Sequence, residues 1–390
     1  MMRKFIGLVL VAMLAGAAAA QDVSVRADHP DEYVVVRGDT LWDIAGRFLD
    51  KPWQWPAIWH ANPQIANPHL IYPGDRISLI YIDGMPRLVV DRGKQPIKLS
   101  PEMRSTGREA IPPIPYERLK PFIKNARIVS EAEFLSLPYI IANYEQRLNV
   151  TVGDRTYARG LTAAVGQEFV VARLNNIYYS MSDTKRRAEP TLHGDTTSKA
   201  LTLPRGFWRP VDTWFRSTDI IGYELVEVSR AVVKKAGDPA ILEVESGRTE
   251  VQDGDYLLPL DDHRFDSHFY PRPMSAMPGD MLVLAVEGGI HGVGQFQIVA
   301  ISGGANQGVE PGHVFSAFRP GETVRDKVKY PKGSWADATT WSKDKVTLPA
   351  EFDAHIMVFR VFDEVSYAMV MDGERMVHEH DELRHPDETL

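Results

Sequence analysis

The sequence predicts an α+β chain in which a small βααβ module precedes a proline-rich linker and a larger, mainly β region of barrel or sandwich type. Three observations predict this organisation. Residues 33–81 read as a β-branched strand, two short amphipathic helices and a closing strand. Residues 83–125 contain seven prolines. From residue 126 onward, short apolar runs bounded by Gly, Pro, Asp and Asn recur, which is typical of many short strands.

The N-terminal module begins with a strand at residues 33–36, where aromatic and β-branched side chains favour extended backbone. Gly38 permits a sharp turn, and Asp39 or Thr40 can cap the amides of the helix that follows. That helix has one apolar face, because its apolar residues fall at i, i+3, i+4 and i+7. These residues are Leu41, Ile44, Ala45 and Phe48.

A second helix is predicted over residues 55–62, with Pro56 at a position where the missing amide costs nothing and Pro63 at its end. The turn at residues 72–75 then leads into the closing strand. The sequence therefore predicts a domain at residues 30–82 with a two-stranded sheet. Such a module has only a small core, so its packing must be dense and aromatic.

The segment at residues 83–125 is stiff and extended, because proline prevents a helix and favours polyproline II backbone. It carries nine Lys or Arg against five Asp or Glu, so it is locally basic on an acidic protein. It is predicted to be a linker. Its function is either that of a solvated spacer or that of a docking strip for an acidic partner.

Residues 126–390 are predicted to form one or two barrels or sandwiches, with a helix near residues 131–137. Strands are predicted at residues 223–233, 241–244, 281–286, 296–301 and 355–362. Glycine followed by a polar residue repeatedly precedes a strand, at Gly166, Gly254, Gly279 and Gly312. Pro precedes Gly279 and Gly312, which predicts a type II turn with glycine at its third position.

The first twenty residues predict export. Arg3 and Lys4 precede an apolar stretch, and alanines end at a cleavage site between Ala20 and Gln21, so residues 1–20 read as a signal peptide and the mature protein as periplasmic. The chain has no cysteine, which excludes disulfides, thiol nucleophiles and thiolate metal sites. Its formal net charge of −8 makes nucleic acid an unfavourable partner.

The runs VRGDTLWDIA at residues 36–45 and YPGDRISLI at residues 72–80 resemble those of LysM domains, which bind the N-acetylglucosamine backbone of peptidoglycan or chitin. The resemblance implies a shallow sugar groove between the first turn and the loop before the last strand. Backbone amides, short polar groups and an apolar floor suit an N-acetyl group. The implied glycan-binding residues are Gly38, Asp39, Thr40, Leu41, Asn67, Pro68, His69, Leu70 and Ile71.

Four of the eight tryptophans lie in this module, and aromatic rings either stack on sugars or fill small cores. They are Trp42, Trp53, Trp55 and Trp59. Packing is the favoured interpretation for each. Trp53, in a short insert that smaller LysM modules lack, is the best of the four for an exposed contact.

A wider resemblance covers nearly the whole mature chain. At residues 98–104, 110–115, 121–123, 147–148, 153–160 and 360–370, the chain resembles the family of type IV pilus secretin-associated proteins (TsaP). That family has a C-terminal part like a β-rich flagellar assembly domain of the FlgT kind. The resemblance implies a non-catalytic accessory protein that holds peptidoglycan while its C-terminal region surrounds an outer-membrane secretin ring. Because a single LysM groove binds glycan weakly, avidity around such a ring predicts many copies per complex.

No hydrolase motif supports catalysis, and no cofactor or metal is expected: Gly-x-Ser-x-Gly and His-Glu-x-x-His are both absent from the sequence. The run at residues 378–385 alternates His with carboxylates, but it is interpreted as a solvated tail instead of a zinc site. Two alternative functions stay open. One is a peptidoglycan hydrolase or its activator, and the other is an accessory protein of a flagellar or different envelope machine.

Overall fold

The computed structural model describes residues 23–59, 71–91, 126–179, 220–247, 249–260, 270–287, 292–330 and 345–388. The chain divides into two compact units, Met1–Ile111 and Pro112–Leu390. The predicted signal peptide and residues 92–125 of the predicted linker lie outside the described residues. None of the helices within the described ranges has the length and apolar composition needed to cross a membrane.

The first unit is a small α+β module. Its elements are β1 (Glu32–Val34), α1 (Leu41–Phe48), α2 (Trp55–Trp59), β2 (Arg76–Ile82) and β3 (Met85–Asp91). The sheet is antiparallel in the order β1-β2-β3. Both helices pack on one face of it, and the core includes Phe48, Ile58, Ile71 and Ile77, each at most 1% exposed.

The sheet differs from the prediction, because it has three strands and the third lies inside the segment predicted as a linker. Strands β2 and β3 pair along their full length through a turn at Asp83 and Gly84. Both turn residues have positive φ, 52° and 77°, which is the geometry that an Asp-Gly hairpin favours. The Asp-Gly pair between two apolar runs was therefore the signal for β3, and Leu88 and Val90 add its apolar face to the core.

The second unit begins with a closed antiparallel barrel. Its strands, with a separate pair β6 and β11, are β4 (Ala126–Val129), β5 (Tyr139–Asn143), β6 (Asn149–Val150), β7 (Arg155–Arg159), β8 (Glu168–Tyr179), β9 (Ile220–Lys235), β10 (Ala240–Gly247), β11 (Val251–Gln252) and β12 (Tyr256–Pro259). The order is β10-β7-β5-β12-β8-β9, and β9 also pairs with β10, which closes the ring. Strand β4 extends the sheet beside β9.

The inside of this barrel is apolar, with Val171, Val233, Leu242 and Leu257 all fully buried. Ser130 caps the N-terminus of helix α3 (Glu131–Ser136), and its hydroxyl accepts a hydrogen bond from the Glu133 amide at 3.3 Å. The helix covers the outside of the barrel. Its one buried residue, Phe134, packs with a second apolar cluster that includes Tyr223 and Leu258.

A second barrel follows in the same unit. Its strands, with a separate pair β17 and β18, are β13 (Arg272–Pro273), β14 (Val283–Val286), β15 (Ile298–Ser302), β16 (His313–Arg319), β17 (Thr323–Arg325), β18 (Lys345–Thr347), β19 (Glu351–Val361), β20 (Val365–Gly373) and β21 (Glu382–Arg384). The path is β13-β16-β19-β20-β15-β14, and β21 pairs with β16. Its core centres on Val283, Phe315, Ile356 and Val370.

The prediction that residues 378–385 form a solvated tail is wrong. Asp381 is 1% exposed and Leu383 is 6% exposed, and β21 hydrogen-bonds to β16. The amide of Leu383 also donates to the carbonyl of Met281 at 2.9 Å, next to β14. The segment therefore closes the second barrel between β14 and β16. The polar composition of the segment did not indicate a strand, because only every second side chain of a strand faces the interior.

The glycine turns are confirmed at one site and differ at another. Gly312 has φ of +92°, as the third position of a type II turn requires, and β16 starts directly after it. At the second Pro-Gly pair the positive φ belongs to Asp280, at 63°, and not to Gly279. Aspartate tolerates left-handed backbone better than most residues, so the turn is shifted by one residue.

A buried polar contact joins the two barrels. Tyr367 on β20 donates its hydroxyl proton to the Glu224 carboxylate on β9, and both side chains are buried. Burial, the neighbouring Tyr178 and the Glu224 charge raise the pKa of the Tyr367 phenol well above its ordinary value, so it remains a donor. The chain is therefore an α+β protein with a small helical module and a mainly β remainder, as the sequence predicts.

Candidate glycan-binding site

The first predicted side of the groove is a tight turn that the Asp39 carboxylate holds in place. The Asp39 Oδ2 atom accepts hydrogen bonds from the Val36 amide and from the Tyr33 hydroxyl, each at 2.9 Å. Gly38 has φ of +101° and open space where a Cβ would stand. This turn needs a glycine for its backbone and an acceptor at residue 39 for its amides.

Thr40 begins helix α1 with a reciprocal cap. Its Oγ1 atom accepts from the Asp43 amide at 3.1 Å, while the Asp43 carboxylate accepts from the Thr40 amide at 3.2 Å and from its hydroxyl at 2.7 Å. Burial raises the pKa of the Asp43 carboxyl, although the hydrogen bonds from Thr40 oppose this shift. The arrangement is a capping box, which orients the turn relative to the helix.

The second predicted side is described only from Ile71 onward, since Asn67, Pro68, His69 and Leu70 lie outside the described residues. The turn that follows is closed by the Asp75 carboxylate, which accepts from the Tyr72 amide at 3.1 Å. Val35 connects the two sides. Its amide donates to the Asp75 carbonyl at 2.9 Å, and its carbonyl accepts from the Gly74 amide at 2.8 Å.

The predicted site residues divide into two groups by burial. Thr40, Leu41 and Ile71 are at most 2% exposed, so their side chains serve the cap and the core and cannot reach a sugar. Gly38 is exposed and Asp39 is half-buried. Of the predicted residues on this side, Gly38 and the half-buried Asp39 therefore offer the surface that a glycan can contact, and the assignment of these residues to a groove stays a prediction.

Val34 and Val36 were not among the predicted site residues. They are 47% and 53% exposed, while Val35 between them is 2% exposed. The alternation along the strand places the two valines on the outer face next to the Gly38 turn. An apolar patch beside the accessible backbone of the Gly38 turn suits the methyl and amide of an N-acetyl group. The period-two pattern at residues 34–36 was the sequence signal for this patch.

All four tryptophans of the module are buried, which confirms the packing interpretation. Trp42, Trp53, Trp55 and Trp59 are each at most 3% exposed. The rings of Trp42 and Trp53 lie 6.3 Å apart, and those of Trp55 and Trp59 meet edge to face at 6.5 Å. The insert at residue 53 therefore packs its ring inward, and sugar stacking on these four rings is excluded by their burial.

We expect Thr40→Ala to destabilise the first unit by about 1 kcal/mol, because it removes the side-chain cap of α1. Thr40→Ser keeps the hydroxyl and should stay within about 0.5 kcal/mol of the native stability. Urea unfolding followed by tryptophan fluorescence measures both variants. Equal stability of the alanine and serine variants would show that the cap does not contribute.

Outside this module, one cluster of potential ligands stands out among the described residues. Asp353, His378 and Asp381 in the second barrel each offer a ligand atom, and these atoms lie within 4.8 Å of one another. Sequence reasoning missed this cluster, because Asp353 is distant in the chain and residues 378–385 were interpreted as solvated.

Comparison with known proteins agrees with the geometry of the first unit. The LysM domain model matches residues 33–79. The uncharacterized protein YqbP of Bacillus subtilis (strain 168) is 37% identical over 60 residues, which cover 13% of this chain and 27% of that protein. The chain thus spans about a quarter of the length of this curated relative. LysM domains are non-catalytic modules that bind N-acetylglucosamine-containing glycans, and residues 33–79 of this chain form a LysM domain.

Proposed function

We propose that this chain is a non-catalytic periplasmic protein that binds peptidoglycan through its LysM domain and anchors or aligns an outer-membrane secretin complex, of the type IV pilus kind, through its second unit. The LysM match at residues 33–79 carries the first half of the proposal. The resemblance of the linker and the C-terminal region to secretin-associated proteins supports the second half.

The geometry of the first unit fits a weak glycan site. The Gly38 turn presents accessible backbone, and Val34 and Val36 add a small apolar patch. A single shallow site of this kind holds a sugar loosely, because it buries little surface. Many copies around a ring would raise the effective concentration and so convert weak sites into a firm attachment. The proposal therefore requires several copies in each complex.

The second unit offers a surface suited to a protein partner. Leu148 is 86% exposed between the short helical turn that follows β5 and strand β6. Upstream on the same segment, Tyr139, Ile141 and Tyr144 are 40%, 41% and 42% exposed. Several large apolar side chains exposed along one short stretch favour association with another protein.

Two experiments, one for each half, test the proposal. The full chain should sediment with purified sacculi, whereas a chain lacking residues 23–91 should stay in the supernatant, because that deletion removes the whole three-stranded module. Residues 112–390, tagged and mixed with gently solubilised envelopes, should recover a secretin ring, and Leu148→Asp should lower that recovery.

Each alternative function has its own outcome in these assays. Sedimentation of the truncated chain would contradict glycan binding through the LysM domain. Recovery of a flagellar or other envelope complex would replace the secretin as the partner and leave the wall attachment standing. Clearing of peptidoglycan by the pure protein in a zymogram would identify a hydrolase, and clearing only in the presence of a hydrolase would identify an activator.

A further inference from the structure

The C-terminal segment closes the second barrel by bonding to both of its open edges. On one side β21 pairs with β16, with Ala317 opposite Leu383. On the other side the His380 amide donates to the Val283 carbonyl at 2.8 Å, and the Val283 amide donates to the Asp381 carbonyl at 3.0 Å. Residues 378–384, the closing strand, are therefore the seam of this barrel.

Two carboxylates meet under the seam. Asp353 on β19 is fully buried and Asp381 on the closing strand is 1% exposed. Arg319 on β16 donates from Nη2 to the Asp353 Oδ2 atom at 3.1 Å and to the His378 Nδ1 atom at 2.8 Å. The His378 amide donates to the Asp381 Oδ2 atom at 2.7 Å. Thus one oxygen of each carboxylate has a donor from the protein.

The Asp353 Oδ1 atom is buried and has no hydrogen-bond partner among the residues that the structure describes. An acceptor that is buried without a partner is costly, and it is more costly when a second carboxylate lies beside it. The cluster therefore needs one more donor or positive charge at this point. A proton on Asp381 would supply both, since it neutralises one carboxylate and donates to the other.

Charge favours a proton over a metal ion. Two carboxylates and the Arg319 guanidinium leave a single negative charge, which one proton cancels and which a divalent cation would reverse. The lone pair of His378 Nδ1 is already directed at Arg319. A cation would thus share its ligands with a guanidinium within hydrogen-bond distance of two of them, which is an unfavourable arrangement.

We propose that Asp353 and Asp381 share one proton, that this proton holds the closing strand in the barrel, and that its loss opens the seam between β14 and β16. The groups that face the pair are Arg319 from β16 and His378 from the closing strand itself. Opening would leave the edge of β16 at residues 316–318 unpaired, and an unpaired edge can accept a strand from another chain.

The direction of the pH dependence follows from the burial. Burial, opposed by the His378 amide and reinforced by Asp353, raises the pKa of Asp381 to about 8 in the folded protein, far above that of an exposed aspartate. The closed seam thus binds a proton that the open seam releases. The contribution of this proton to the stability of the closed seam is complete below the pKa of an exposed aspartate, about 3.9, and falls as the pH rises, until the proton is lost near pH 8.

Hydrogen exchange of the full chain, read by mass spectrometry and corrected for intrinsic rates, tests the proposal. Exchange of peptides covering the closing strand should accelerate about tenfold per pH unit between about pH 7 and pH 8 and then level off. Peptides from the first barrel should show no such slope. Starting above the ordinary histidine pKa keeps the titration of His378, whose own pKa burial and Arg319 lower, out of the window.

Asp381→Asn retains the shape and places an amide donor beside Asp353, so its closing strand should exchange at a rate independent of pH. The matched control is Asp372→Asn, on β20 of the same barrel, where the carboxylate is half-exposed and pairs with His355 at 2.6 Å. That control should keep the native slope. A flat profile in the native protein, or the native slope in Asp381→Asn, would overturn the proposal.

A second measurement covers failure of Asp381→Asn to fold. Infrared spectra of the native protein should show the band of a protonated carboxylic acid at neutral pH, and this band should disappear as the pH rises through about 8. Absence of that band at neutral pH would refute the shared proton.

Calcium and zinc ions, tested separately with a chelator wash between them, should leave exchange of the closing strand unchanged. Protection that appears with either ion and disappears with the chelator would assign the cluster to a cation instead.

Discussion

Phe48→Ala is expected to destabilise the LysM unit by about 3–5 kcal/mol and so to abolish sedimentation with sacculi. Phe48 is fully buried at the end of α1, within a small core that two short helices, the sheet and a few flanking residues supply. A domain of this size has a total stability of about 4–10 kcal/mol, so the substitution removes much of it. Urea unfolding followed by tryptophan fluorescence reports the change, because Trp42, Trp53, Trp55 and Trp59 are all buried in this unit.

Val36→Ala is the matched control for Phe48→Ala. Val36 is 53% exposed, so its truncation should alter the unfolding free energy of the unit by no more than about 0.5 kcal/mol. Its effect on sedimentation reports the apolar patch alone, since the fold is kept. Normal sacculus binding by a demonstrably unfolded Phe48→Ala unit would contradict the assignment of the glycan site to this module.

Phe134→Ala is expected to destabilise the second unit by about 3–5 kcal/mol while leaving sedimentation with sacculi intact. The Phe134 ring stacks on Tyr223 with centroids 4.1 Å apart and an interplanar angle of 3°, and it lies 4.7 Å from Tyr256. It is the one buried side chain of α3 and covers the outside of the first barrel. Its removal leaves a cavity lined by two tyrosine rings. Circular dichroism in the near ultraviolet should lose tyrosine signal at a lower temperature than in the native protein.

Leu135→Ala changes the adjacent residue of the same helix and provides the control. Leu135 is 55% exposed, so we expect a change within about 0.5 kcal/mol. Comparable destabilisation by the two substitutions would contradict the assignment of the effect to the aromatic stack, because alanine has a higher helix propensity than either residue that it replaces. Together, Phe48→Ala and Phe134→Ala separate the function of the LysM unit from that of the barrels.

Local patterns predicted the parts of the structure that depend on neighbours in the sequence. The apolar spacing at residues 41–48 and a cap at Asp39 or Thr40 predicted α1, and the structure has Thr40 as the cap of Leu41–Phe48. Alternating or continuous apolar runs likewise located β9 and β19, predicted at residues 223–233 and 355–362 and observed at Ile220–Lys235 and Glu351–Val361. Helix and strand periodicity result from backbone geometry over a few residues, so one sequence is enough to read them.

Other features depended on partners distant in the chain. Strand β3 was missed although an Asp-Gly turn marks it, because a proline-rich composition was taken to describe the whole segment. Leu41 and Ile71 were assigned to the groove from their positions in the motif, but their side chains complete the core. Neither burial nor accessibility of a single side chain follows from a motif, since both depend on what packs above it.

The sequence alone established an α+β chain with a LysM module, a proline-rich segment and a β-rich remainder, because composition and periodicity act locally. Closure of the two barrels required the folded chain. Pairing of β9 with β10, and of β21 with β16, joins edges whose identity depends on which strands already lie between them. The meeting of Asp353 and Asp381 is the sharpest case. From sequence, a carboxylate in a polar run is predicted to be solvated. The tertiary structure instead buries Asp381 beside a second carboxylate, and this burial raises its pKa so that it retains a proton.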